Sequence, residues 1–230
     1  MNLFFLAVAP AVVIILYIYF KDKFEKEPWR LLSKNFFLGA SLSIALTLGI
    51  SYLLNPLLFG LSDNAVWAMF IKAFIGVALV EEFSKYLVVR FAAQRNPEFN
   101  EAFDGIVYAV MVSMGFATLE NILYVYNYGA ETGILRAFTA VPAHASFGIL
   151  MGFFMGKAKF SKFRWGYNML GLLAATLFHG AYDFFLFIHW IPGITIGAFA
   201  SLALGLFLSN RAIKSHQKNS IFRKDSGLSL

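Results

Sequence analysis

Hydrophobic positions in this chain come in long unbroken runs, without the alternation of a half-buried strand or the one-sided stripe of a surface helix. Runs of roughly 18 to 25 residues cover 2–20, 36–54, 66–89, 104–128, 138–156, 168–188 and 192–209, and each is long enough to cross about 30 Å of hydrocarbon as α-helix. A backbone in lipid must satisfy its own hydrogen bonds, so such runs read as helices. The pattern predicts an all-α, polytopic transmembrane helix bundle of about seven spans. Small residues recur at every fourth position in three stripes: Gly148, Gly152 and Gly156; Gly39, Ser43, Thr47 and Ser51; Gly193, Gly197, Ser201 and Gly205. They let helix backbones approach closely where lipid offers no hydrophobic drive to associate, which predicts a tight bundle. Trp67, Trp165 and Trp190 fall near run ends, the depth that indole rings prefer.

Composition agrees: of 230 residues, 59% are hydrophobic and only 14% charged. The excess of positive charge, +6, is distributed as topology. Lys21, Lys23, Lys26, Arg30 and Lys34 follow the first run, Arg90 and Arg95 the third, and Lys157, Lys159, Lys162 and Arg164 the fifth. Arg211, Lys214, Lys218, Arg223 and Lys224 follow the last, and only Arg136 lies in a loop on the other side. The positive-inside rule therefore predicts an N-terminus outside and a C-terminus in the cytoplasm of a multi-pass bacterial membrane protein, and argues against nucleic-acid binding. The first run lacks a basic start, so it is expected to stay as an anchor. We expect one membrane domain over 1–209 and a basic cytoplasmic tail over 210–230, disordered or interfacial. The absence of cysteine excludes disulfides, thiolate metal sites and a cysteine nucleophile.

Several ionisable residues interrupt the apolar runs, and each costs about 3 kcal/mol near the bilayer centre unless it has a partner, water or a task. They are Glu81, Glu82 and Lys85 in the third run, Glu120 with Asn121 in the fourth, His144 in the fifth, and His179 and Asp183 in the sixth. Helical spacing puts Glu81 and Lys85 on one face, with Glu82 three residues from the same lysine. His179 and Asp183 are four apart on the stripe of Gly171 and Ala175, and His144 extends the Gly148–Gly156 stripe. Counting from run ends puts most of the set in the outer half of the membrane. Glu81 comes out deeper, about 22 Å from the outer end at 1.5 Å per residue, which a tilt or a watery indentation would explain; a later start of the third span, near Lys72, is the expectation.

The motifs HExxH, GxSxG and a glycine-rich phosphate loop are all missing, and Ser146 has no nucleophile elbow. What remains is a carboxylate with two imidazoles, a set suited to activating water and holding an oxyanion. The same set would also serve as a zinc shell with an open water position. A proton-coupled transporter, whose relays use the same residue types, or a non-catalytic membrane scaffold are the alternatives.

The segments EEFSK (Glu81–Lys85), FATLEN (Phe116–Asn121), PAHASFG around His144, HGAYD (His179–Asp183) and KDKFEKEPWRLL after the first run resemble the motifs of the PrsW family. That family consists of polytopic bacterial intramembrane proteases related to type II CAAX prenyl endopeptidases and bacteriocin-processing enzymes. The resemblance implies that Glu81 is the general base and Glu82 its partner, oriented with Lys85. His144 and His179 would position water or the oxyanion, Glu120 would fill the second-motif position beside Asn121, and Asp183 would orient His179. It implies an endopeptidase that makes the first, extracytoplasmic cut in a single-span, membrane-anchored anti-sigma factor during a stress response; from the residues we expect a glutamate mechanism without a cofactor, with zinc as the alternative.

Overall fold

The computed structural model describes residues 2–223, and all regular structure among them is helical. Helix α1 (Leu3–Lys21) starts at Asn2, whose side chain accepts from the Phe4 amide. After a short linker, α2 (Trp29–Leu38) runs through a wide π turn (Gly39–Ser43) into α3 (Ile44–Phe59). The next rod begins as α4 (Val66–Ile71), widens to a π segment (Lys72–Leu79), tightens to α5 (Val80–Val88) and widens again over Val89–Ala93. Four long helices complete the bundle: α6 (Ala102–Phe138), α7 (Ala140–Lys159), α8 (Arg164–Phe187) and α9 (Ile196–Lys218).

Six stretches among the described residues are long and apolar enough to cross a membrane: Leu3–Lys21, Trp29–Leu58, Ala102–Tyr128, Ala130–Lys159, Arg164–Phe187 and Ile196–Lys218. The run expected at 66–89 is also one unbroken helical rod, extending to Ala93. Lys72, Glu81, Glu82, Lys85 and Arg90 make it too polar to count by apolarity alone. Helices α6 and α7 form the buried centre, with α1 and α2 against α6, and α8 and α9 against α7. The outer helices expose large apolar side chains such as Phe5, Leu53 and Phe199, as a lipid-facing surface requires.

The glycine stripe of α7 explains why the centre is so close-packed. A methyl group added at Gly152 would overlap the Gly105 carbonyl oxygen, and one at Gly156 would overlap that of Ala102. The two backbones therefore touch along one seam. Gly39 and Gly115 do the same where the π turn meets α6, with no space for a Cβ beside the Val112 and Phe36 carbonyls respectively.

Four features differ from the sequence pattern. The third rod starts as helix at Val66, so Lys72 lies inside it, with its ammonium reaching back to Asp63 and to the Leu61 carbonyl. Gly193 is no part of a packing stripe; it holds a turn at φ 75°, a backbone state that favours glycine. Helix α9 continues to Lys218, where Ala212, Ile213 and His216 are buried, so much of the expected tail is packed helix, while 224–230 lies outside the described residues. Finally, α6 is broken at Gly129 (φ 86°), and the following turns fold back so that Gly133 packs on Val125 and on Leu6 of α1.

Candidate active site

Glu81, Glu82 and Lys85 sit on the stretch of ordinary α-helix between two π segments. Wide turns of this kind shift the register of side chains locally and recur at functional sites. All three residues are buried, with Glu82 and Lys85 almost completely so. The Lys85 ammonium donates to both carboxylates, at 2.7 Å to Glu82 Oε1 and 3.3 Å to Glu81 Oε2, and it lies 4.0 Å above the Phe116 ring.

Both histidines reach this group. His179 Nδ1 lies 2.9 Å from Glu82 Oε1, and its Nε2 is 3.3 Å from Asp183 Oδ2 and 4.0 Å from Glu81 Oε2. Flanked by carboxylates on both sides, this ring can donate from both nitrogens only as imidazolium. His144 Nδ1 is 3.2 Å from Lys85 Nζ, and its Nε2 is 3.0 Å from Glu120 Oε2. The two rings meet edge to face at 5.2 Å. Four helical elements thus converge at one point, as the separate motifs require.

A cavity of about 370 Å³ opens onto the cluster, lined among others by Glu81, Glu120, His144, His179, Asp183 and Arg136. Glu82 lies behind this wall and does not line it. Of the two adjacent carboxylates, therefore, Glu81 faces the space a substrate would enter and Glu82 faces the interior. One oxygen of Glu82, Oε2, is buried with no hydrogen-bond partner among the described residues.

Two supporting residues are not among the expected site residues. Arg136 donates to Glu120 Oε2 at 2.7 Å and to Asn121 Oδ1 at 3.0 Å, and stacks 3.9 Å from the Tyr124 ring. Its sequence signal is that it is the lone basic residue in a loop that the charge pattern is expected to put outside. Phe147 lies nearly parallel to the His179 ring, 4.8 Å away; its position three residues after His144 puts it on the same face of α7. Asn121 is turned away from the cluster, donating to the Ala7 carbonyl at 2.8 Å, so it fastens α1 to α6 while accepting from Arg136.

The donor set also fits a divalent metal. Glu81, Glu82, His144 and His179 each offer an atom within 4.8 Å of the others, a mixture of carboxylate and imidazole that suits zinc. Each imidazole has a carboxylate on Nε2, Glu120 for His144 and Asp183 for His179, the outer support that metal-bound histidines usually carry. The orphaned Glu82 oxygen is a further donor without an assignment. Against these, the Lys85 ammonium already supplies positive charge to the same donors.

Comparison with known proteins places this geometry in context. The family model described as PrsW family intramembrane metalloprotease matches residues 27–209. The chain is 41% identical over 193 residues to Protease PrsW of Geobacillus kaustophilus (strain HTA426), covering 84% of this chain and 83% of that one. It is 38% identical over 181 residues to Protease PrsW of Bacillus subtilis (strain 168), covering 78% and 80%. With Protease PrsW of Clostridioides difficile (strain 630) the identity is 34% over 197 residues, covering 83% and 81%. No solved structure matches the chain.

Proposed function

The chain belongs to the PrsW family of intramembrane proteases, and from that premise we propose that this multi-pass bacterial membrane peptidase cuts a membrane-anchored substrate with water activated by Glu81. The observation that carries the reading is the division of labour between adjacent glutamates: Glu81 lines the cavity, while Glu82 is held behind it by Lys85 and His179.

Glu81 takes a proton from water as the oxygen attacks the scissile carbonyl, and returns it to the leaving amine. Its neighbours set its orientation, with Lys85 holding one oxygen. His179, held by Glu82, Asp183 and the Phe147 face, and His144, held by Glu120, border the reacting space, and each turns an N–H from its present carboxylate toward the water or the developing oxyanion when substrate enters. A divalent metal would be held by Glu82, His144 and His179, leaving Glu81 as base, and would supply polarisation of the carbonyl and a more acidic water.

The substrate we infer is a single-span anti-sigma factor cut first on its extracytoplasmic side. The charge pattern supports this side: with seven spans and the N-terminus outside, Glu120, His144, His179 and Asp183 would lie in the outer half of the bilayer. The experiment is cleavage of a panel of single-span substrates by the purified protein in detergent. Glu81→Gln and Glu82→Gln should insert and elute as the parent does, yet lose about 10²–10⁴-fold in rate, the usual contribution of a general base. Normal cleavage by both would refute the assignment. Activity that survives chelator favours the glutamate with Lys85 alone; activity lost to chelator and restored by zinc favours the metal.

A further inference from the structure

A second group of acids lies at the opposite end of α6, outside the peptidase site. Asp104 is sixteen residues before Glu120 on the same helix, about 24 Å away at 1.5 Å per residue. Glu25 and Glu27, from the α1–α2 linker, bring carboxylate oxygens within 4.8 Å of it and of each other. Glu27 and Asp104 are almost wholly buried, as are the neighbouring Asp22 and Glu101. Asn100 joins the group: its amide nitrogen donates to Glu25 Oε1 at 3.3 Å and its backbone N–H to Asp104 Oδ2 at 2.7 Å.

Seven side-chain oxygens here are buried with no hydrogen-bond partner among the described residues: both of Asp22, both of Glu27, and one each of Glu25, Asn100 and Asp104. Buried polar oxygens are nearly always paired, and packing several carboxylates together adds repulsion to the desolvation cost. Lys26 donates to the Tyr19 and Asp22 carbonyls, and Lys159 to those of Gln94 and Asn96.

We propose that Glu25, Glu27 and Asp104, with the Asn100 amide oxygen, form a binding site for a hard divalent cation, Ca²⁺ or Mg²⁺, separate from the peptidase centre. An all-oxygen set without imidazole or thiolate selects these ions over zinc. The bound ion joins the α1–α2 linker to the first turn of α6. Asp104 already caps that turn by accepting from the Glu101 amide at 2.8 Å, and Ser220, just past α9, donates to Glu101. One cation therefore gathers three chain segments at a single end of the bundle.

The test uses the full chain in detergent, stripped with chelator and titrated with CaCl₂ and, separately, MgCl₂, followed by calorimetry and thermal melting. At least one salt should bind saturably and raise the melting temperature by several degrees. The response should persist in Glu82→Gln, which lacks a donor of the peptidase site, and weaken at least tenfold in Glu27→Gln. In chelator, Glu27→Gln should melt at or above the parent, because it removes one of several crowded like charges; this arm separates a lost ligand from a damaged fold. The proposal is overturned if neither salt binds, if Glu27→Gln responds as the parent does, or if that variant melts below the parent in chelator. Stabilisation by lowered pH alone would assign the carboxyls to shared protons and overturn it too.

Discussion

At the scale of single residues, the site is a chain of charge handed from surface to interior: Arg136 to Glu120, Glu120 to His144, and His144 to Lys85 and the paired glutamates. Arg136 touches nothing in the reacting group, yet it fixes the carboxylate that aligns His144. Arg136→Gln should lower kcat/KM for a single-span substrate by about 10–100-fold, the range seen when an outer partner of an active-site histidine is removed, without preventing insertion. Arg136→Lys should recover only part, because a point charge cannot hold Glu120 and Asn121 together as the guanidinium fork does. The members of the buried polar cluster were legible from sequence because ionisable groups in apolar runs are costly. His179 with Asp183 followed from four-residue spacing, and their 3.3 Å contact agrees. The pairing of Glu120 with His144 and Arg136 was not legible, since it depends on which faces of different helices meet, and no spacing within one helix records that.

At the scale of elements, the α6–α7 seam sets the position of both carboxylate–imidazole partners. Gly152→Ala drives a methyl into the Gly105 carbonyl, and overpacking of this kind costs about 1–3 kcal/mol. The variant should melt lower and cleave more slowly, although no polar residue has changed; thermal melting in detergent beside a cleavage assay reads both. The helices themselves were legible, since runs of apolar residues leave lipid-exposed backbone no other form. Their boundaries were less so. The π segments flanking α5 and the break at Gly129 are local backbone choices that an unbroken apolar run conceals, and α9 runs past its apolar part because Ala212, Ile213 and His216 pack inward.

At the scale of the whole molecule, we propose from the charge distribution an arrangement in which the 66–93 rod crosses the membrane despite its five charged residues. Reporter domains inserted after Asp63 and after Asn96 should therefore read opposite sides, the first outside and the second in the cytoplasm. The same side for both would remove the seventh crossing. The break at Gly129 has a further consequence for the end of the bundle where α6 passes into α7. Surface loops ordinarily tolerate insertions and deletions, but here the segment from Ala130 to Phe138 is a measured return: adding or deleting one residue before Arg136 turns its guanidinium about 100° around the helix axis and out of reach of Glu120. This stretch is therefore an exposed connection of obligate length, able to vary in the identity of its lipid-facing residues while its residue count stays fixed.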